Sequence, residues 1–156
     1  MDSMNSVDRL DPSMLAEDAA PLVPRKRPAA SILGKKAHIL LVDDDQEIAR
    51  AVKLRLRKSG YAVTVAFNGE SGLQAALENV PDAIILDMRM PLMDGLTMLT
   101  ELRRDDRMRQ VPVILLSAFM CEDNRRMALR LGASFFIEKP YDSLILVAAV
   151  EQAVGR

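Results

Sequence analysis

A strict alternation of short apolar runs with amphipathic stretches is the feature that most limits what this chain can fold into. Five runs are apolar at nearly every position, which is typical of strands buried on both faces of a parallel sheet. They cover residues 38–42, 62–66, 83–86, 111–116 and 134–137. Parallel strands need crossover connections that cover the faces of the sheet, so the alternation predicts an α/β fold with a doubly wound five-stranded sheet.

The stretches between the runs have the spacing and the end signals of helices. They cover residues 46–58, 70–78, 96–103, 124–131 and 143–154. Asp45 and Asp142 stand where N-caps are expected. Gly60 and Gly132 follow two of the helices, at the place where a left-handed residue commonly ends a helix. The chain therefore predicts five β-α units in a row.

The composition before the alternation is different. The first 36 residues hold four of the eight prolines and no sustained apolar period, so we predict a flexible tail over residues 1–36 and one folded domain over 37–156. No apolar run approaches the ~20 residues of a membrane-spanning helix, which favours a cytoplasmic protein. A net charge of -1 implies no strong field for nucleic acid, and the single cysteine, Cys121, excludes an internal disulfide.

Aspartates cluster where the predicted strands end. Asp43, Asp44 and Asp45 follow the first strand, and Asp87 follows the third. The carboxyl ends of parallel strands meet at one edge of the sheet, the edge at which such folds bind ligands. With Asp45 used as a helix cap, three carboxylates repel one another, and a hard divalent cation such as Mg²⁺ relieves that repulsion. The plainer alternative is that each aspartate only caps a helix or a turn.

A hydroxyl and an ammonium group are predicted at the same edge. Ser117 ends the fourth predicted strand, and Lys139 follows the fifth. A lysine at the end of a buried strand is expected to meet an anion, and the two side chains together resemble a cradle for a phosphoryl group. Taken singly, Ser117 fits a turn and Lys139 fits a solvated surface position.

Four short motifs, in order at the strand ends, resemble those of the receiver domains of two-component response regulators. They are Val42-Asp43-Asp44, Leu86-Asp87-x-x-x-Pro91-x-x-x-Gly95, Leu116-Ser117-Ala118 and Lys139-Pro140. The resemblance extends over residues 37–156. It implies a stand-alone, single-domain receiver of the flavodoxin-like (βα)5 type, with strand order 2-1-3-4-5.

The resemblance also implies the chemistry of the acidic residues. Asp87 matches the phosphoacceptor, a carboxylate nucleophile that forms an acyl phosphate. Asp43 and Asp44 match the acidic pair that holds Mg²⁺ together with Asp87, and Asp44 is the more direct ligand of the pair. Arg89 would add its backbone carbonyl as a further ligand.

The remaining matches concern the phosphoryl group and the switch. Ser117 and Lys139 would each bind a phosphoryl oxygen. Phe136 matches an aromatic residue that reorients when Ser117 moves. Family members often have tyrosine at this position, and because Phe136 lacks the tyrosine hydroxyl, a switch in this chain would work by packing. An ordinary core phenylalanine is the alternative. The positions with structural roles are Pro91, Gly95 and Pro140, the last expected to follow a cis peptide bond.

The sequence also bears on the source of the phosphoryl group and on the target of the signal. Its one histidine, His38, opens the first predicted strand, away from the acidic edge, so the phosphohistidine would belong to a histidine kinase or a histidine phosphotransfer protein. The sequence ends after the fifth helix, so we expect no nucleic-acid-binding output domain within it. Signalling would then run through a downstream protein target or a self-dimer, by way of the fourth helix, fifth strand and fifth helix.

Three other functions remain open. A haloacid-dehalogenase-like phosphatase also uses an aspartate nucleophile with Mg²⁺, but it resembles a pattern with a second aspartate where this chain has Arg89. A pseudo-receiver would have the fold without phosphorylation, and a phosphate sink would only drain a kinase. We expect no turnover of small molecules, only catalysis of the chain's own phosphorylation and dephosphorylation.

Overall fold

A twisted sheet with helices on both faces forms the body of the molecule. The computed structural model describes residues 7–9, 34–119 and 121–155. Its strands are β1 (Val7–Arg9), β2 (His38–Val42), β3 (Ala62–Ala66), β4 (Ala83–Asp87), β5 (Val113–Ser117) and β6 (Phe135–Glu138). Strands β2 to β6 run parallel in the spatial order β3-β2-β4-β5-β6, which confirms the predicted order 2-1-3-4-5.

Strand β1, which adds a sixth strand to the sheet, was not predicted from the sequence. Strand β1 pairs antiparallel with β6, with Val7 opposite Ile137 and Arg9 opposite Phe135. A three-residue strand has too few positions to show a period, and its pairing is supplied by the otherwise open edge of β6. The sequence predicted residues 7–9 within a flexible tail over residues 1–36, of which residues 1–6 and 10–33 lie outside the described residues.

The predicted helices are all present, with ends that differ by at most two residues. They are α1 (Gln46–Lys58), α2 (Gly69–Glu78), α3 (Gly95–Leu102), α4 (Glu122–Arg130) and α5 (Ser143–Ala153), with an unpredicted 3₁₀ turn at Asp106–Met108. The Asp45 carboxylate accepts hydrogen bonds from the N–H groups of Glu47 and Ile48, both at 3.1 Å. That of Asp142 accepts one from Leu144 at 2.8 Å, so both predicted N-caps are confirmed.

The core has two layers, one on each face of the sheet. Alternate residues of β2 enter opposite layers: Leu40 and Val42 pack with α2, α3 and α4, whereas Ile39 and Leu41 pack with α1 and α5. This arrangement explains why the strands are apolar at successive positions. Among the described residues, no helix combines the length and the apolar character that crossing a bilayer requires.

Candidate functional site

The buried polar residues of the described chain all lie at one edge of the sheet. They are Asp43, Asp87 and Ser117, which are 0%, 4% and 5% exposed. Asp43 follows β2, while Asp87 and Ser117 are the last residues of β4 and β5. Burying a charged group is unfavourable unless other groups compensate it. The parallel sheet therefore places its buried polar side chains together at one edge, whereas the other buried side chains of its strands are apolar.

Three aspartates form a compact group of oxygen ligands. One carboxylate oxygen each from Asp43, Asp44 and Asp87 lies within 4.8 Å of the other two. The Asp45 N–H donates to Asp43 Oδ1 at 2.9 Å. Asp43 Oδ2 is buried with no hydrogen-bond partner among the described residues. The carboxylates line a cleft of about 270 Å³.

Lys139 supplies the positive charge that faces this group. Its Nζ lies 3.3 Å from Asp87 Oδ1 and 3.7 Å from Asp43 Oδ2. The Lys139 N–H donates to the Ser117 carbonyl at 2.8 Å, which ties the residue after β6 to the end of β5. The Lys139–Pro140 peptide bond is cis, as predicted. One ammonium facing three carboxylates leaves the cleft with an excess of negative charge.

Burial and the charge imbalance raise the pKa of Asp87. Burial, and next the negative charge of Asp43, raise the pKa of Asp87 from 3.8 to about 6. The Lys139 ammonium and the Arg89 N–H, which lies 3.4 Å from Asp87 Oδ1, oppose this rise without cancelling it. An oxygen-only donor set with excess negative charge fits a hard divalent cation such as Mg²⁺. Arg89 lines the cleft, and the role of its carbonyl stays a prediction.

The Ser117 hydroxyl is at the predicted edge but bonded within its own loop. It donates to the Phe119 carbonyl at 2.7 Å and accepts from the Phe119 N–H at 3.2 Å. The Phe119 side chain is 72% exposed. A hydroxyl has a single proton, so to donate to a group on Asp87, Ser117 would have to give up its hydrogen bond to the Phe119 carbonyl.

The loop after β4 packs closely against the backbone of Asp87. The Gly95 N–H donates to the Met88 carbonyl at 2.9 Å. A Cβ on Gly95 would lie 2.6 Å from the Asp87 carbonyl oxygen and 2.8 Å from Met88 Cα, so only glycine fits here without a backbone shift. Pro91 is exposed in the same loop.

Phe136 lies in the middle of β6 and belongs to the core. It is 6% exposed and packs in the layer that contains α2, α3 and α4. The Arg125 guanidinium of α4 stands 5.0 Å from the centre of its ring, within cation–π range. The aromatic residue predicted as a switch element is therefore linked to the helix that follows Ser117.

The sequence analysis did not single out Tyr141, which also lies beside the cleft. Burial, and then the charges of Asp43, Asp87 and Asp45, raise the pKa of Tyr141 to about 12. In the sequence it is an aromatic residue after a proline, with no periodic or motif signal to separate it from a packing residue. Only the fold shows that it stands close to the acidic group.

Known proteins share both the sequence pattern and the fold. A family model described as the response regulator receiver domain matches residues 39–151. The transcriptional regulatory protein PrrA of Mycobacterium tuberculosis is 41% identical over 118 residues, which cover 76% of this chain and 50% of PrrA. The chain thus spans about half the length of this curated relative.

Solved structures extend the likeness to the backbone. The chemotaxis protein CheY4 of Vibrio cholerae matches with a TM-score of 0.72 at 26% identity, covering 76% of this chain and 98% of that one. The receiver domain of a sensor histidine kinase from Pseudomonas aeruginosa PAO1 matches with a TM-score of 0.71 at 30% identity, covering 78% and 99%. That structure has a magnesium ion coordinated in its active-site cleft.

Proposed function

Because the chain belongs to the response regulator receiver family, we propose that it accepts a phosphoryl group on Asp87 and signals by the change of shape that follows. The observation that carries this proposal is the meeting of Asp43, Asp87, Ser117 and Lys139 at one edge of the sheet. The donor is the phosphohistidine of a partner histidine kinase or histidine phosphotransfer protein, and the reaction takes place in the cytoplasm.

In the proposed transfer, the Asp87 carboxylate is the nucleophile. Its oxygen forms a bond to phosphorus while the nitrogen–phosphorus bond of the donor breaks, and the leaving imidazole takes up a proton from water. Lys139, already 3.3 Å from Asp87, neutralises charge on the transferred group. Asp43, Asp44, Asp87 and the Arg89 carbonyl would hold Mg²⁺, which would supply further neutralisation of charge on the phosphoryl oxygens.

The proposed switch starts at Ser117. Its hydroxyl turns from the Phe119 carbonyl to a phosphoryl oxygen, so the chain between β5 and α4 loses one short-range hydrogen bond. That segment leads into α4, and the contact of Arg125 with Phe136 joins α4 to β6. Movement of the segment is therefore transmitted by packing to the surface formed by α4, β6 and α5, in agreement with the absence of a hydroxyl on Phe136.

That output surface includes one element that the sequence did not predict. The outer edge of β6 is paired with Val7–Arg9, so a downstream protein or a second copy of the chain approaches β1 and the two helices rather than an open strand edge. A self-dimer through this face would place β1 at the interface or require its release.

A second surface suits the approach of the phosphodonor. An apolar groove of about 700 Å³ runs between α1 and the segment that follows β6, and it includes Ile48 and the exposed side chain of Leu54. Lys139 and Ala118 line both this groove and the acidic cleft. A helix of the donor protein lying in the groove would bring its phosphohistidine to the edge that holds Asp87.

Phosphorylation with acetyl phosphate and Mg²⁺, read by intact-protein mass spectrometry, tests the proposal. We expect one phosphoryl group on the wild type and none on Asp87→Asn. Asp106→Asn, which changes a carboxylate that is 86% exposed, is the matched control and should be labelled normally. Full labelling of Asp87→Asn would refute the acceptor assignment.

Beryllofluoride, a mimic of the phosphoryl group, separates the remaining alternatives. A wild type that neither takes phosphate nor responds to beryllofluoride with Mg²⁺ is a pseudo-receiver. Labelling that leaves partner binding unchanged indicates a phosphate sink, and steady hydrolysis of a small phosphate ester indicates a phosphatase.

A further inference from the structure

Two unpaired polar atoms are buried beside the acidic cleft. Within the described residues, neither the Tyr141 hydroxyl nor Asp43 Oδ2 has a hydrogen-bond partner. The first is a donor and the second is an acceptor. A buried polar atom without a partner costs about 1–3 kcal/mol, so native proteins usually pair such atoms directly or through water.

The two atoms belong to neighbouring cavities that share a wall. Tyr141 lines the groove beside α1 together with Lys139 and Ala118, and these same two residues line the cleft that contains Asp43. Among the charged groups that act on the Tyr141 phenol, Asp43 has the largest effect. Lys139 Nζ, at 3.7 Å from Asp43 Oδ2, is too far for a short hydrogen bond and leaves that oxygen able to accept one.

We propose that Tyr141 is a positioning residue for the acidic site, because its hydroxyl donates to one bound water that in turn donates to Asp43 Oδ2. The water would have the tyrosine hydroxyl, the carboxylate and the Lys139 ammonium as polar neighbours, which meets the two to four partners a buried water needs. The bridge fixes the rotation of the Asp43 carboxylate and so prepares it for a cation. The part of this proposal that concerns Mg²⁺ rests on the proposed function.

The phenol of Tyr141 keeps its proton and can therefore always donate a hydrogen bond. With a pKa of about 12, Tyr141 stays protonated at physiological pH. The ring of Tyr141 packs against the core layer of α1 and α5, and this packing does not need the hydroxyl. Tyr141→Phe keeps the ring and removes the hydroxyl, so it separates the two roles.

The affinity for Mg²⁺, measured by isothermal titration calorimetry, is the first test. Tyr141→Phe should bind Mg²⁺ about threefold to tenfold more weakly than the wild type, as expected for losing one hydrogen bond behind a metal ligand. Tyr61→Phe is the matched control: it changes the chain's other tyrosine, which is 1% exposed and precedes β3 at the opposite edge, and it should leave the affinity unchanged. Equal affinities for Tyr141→Phe and the wild type would overturn the proposal.

If the wild type binds no Mg²⁺, the metal site of the proposed function is refuted. A second test of Tyr141 needs no metal and can be made in either case. In chelator, Tyr141→Phe should lower the melting temperature by about 3 °C, as expected for roughly 1 kcal/mol in a domain of this size. The same change in an Asp43→Asn background should have little effect, because the acceptor is altered. An equal loss in both backgrounds would show that the Tyr141 hydroxyl acts through a partner other than Asp43 and would overturn the proposal.

Discussion

Replacing Asp87 with asparagine should stabilise the metal-free protein at neutral pH. The pKa of Asp87 is raised from 3.8 to about 6 because burial and the Asp43 charge disfavour the ionised form more than Lys139 favours it. At ~1.36 kcal/mol per pKa unit, this difference corresponds to about 3 kcal/mol. Water in the open cleft screens part of the interaction, so we expect a gain of about 2 kcal/mol in the free energy of unfolding.

The pH dependence follows from the direction of the shift. The folded-state pKa lies above the unfolded value of 3.8, so the folded protein binds more protons between the two values and loses stability as pH rises through them. At about pH 4 the carboxyl is neutral in the folded protein and about half protonated in the unfolded chain, so most of the penalty is absent. Asparagine resembles the neutral carboxyl, so its advantage should be full above about pH 7 and should vanish in acid.

Urea unfolding in chelator, followed by circular dichroism at about pH 7.5 and about pH 4, measures this effect. Asp106→Asn is the control, since that exposed carboxylate, paired with Arg109 at 3.0 Å, should change stability by only about 0.5 kcal/mol. An Asp87→Asn protein no more stable than the wild type at neutral pH would refute the reasoning. So would a gain of equal size at both pH values.

Three further predictions concern Mg²⁺ binding, the loop after β4 and the dependence of partner binding on phosphorylation. The dissociation constant for Mg²⁺ should rise about tenfold between pH 7 and pH 5, because a proton on Asp87 competes with the metal below its pKa of about 6; a flat calorimetric profile would contradict this. Gly95→Ala should lower the free energy of unfolding by about 1–3 kcal/mol, since the added Cβ meets backbone atoms at 2.6 and 2.8 Å; a loss under about 0.5 kcal/mol in urea unfolding would show that the loop yields easily. Lys139→Ala should keep the fold but bind its partner equally with and without phosphate, because the ammonium that would bind the phosphoryl group is gone; the exposed control Lys35→Ala should keep the difference. A normal difference in Lys139→Ala would refute the proposed contact of Lys139 with the phosphoryl group.

Local sequence signals sufficed for the elements that carry the fold. Strand β2 is apolar at four successive positions because its side chains enter two core layers in turn, and that pattern is readable without coordinates. Asp45 and Gly132 mark helix ends through capping and a positive φ of 78°, which are properties of single residues. Strand β1 escaped prediction because its pairing is supplied by β6, more than a hundred residues along the chain.

The order of the apolar runs and motifs along the chain is enough to place carboxylates, a hydroxyl and a lysine at one edge, because consecutive parallel strands all end on the same side of a sheet. The distances and burial of these groups depend on the tertiary fold. The raised pKa of Asp87, the hydrogen bonds of Ser117 with Phe119 and the effect of the Asp43 charge on the pKa of Tyr141 all depend on burial and on close approach in space. Those quantities arise from packing between segments far apart in the chain, whereas periodicity and capping act over a few neighbouring residues.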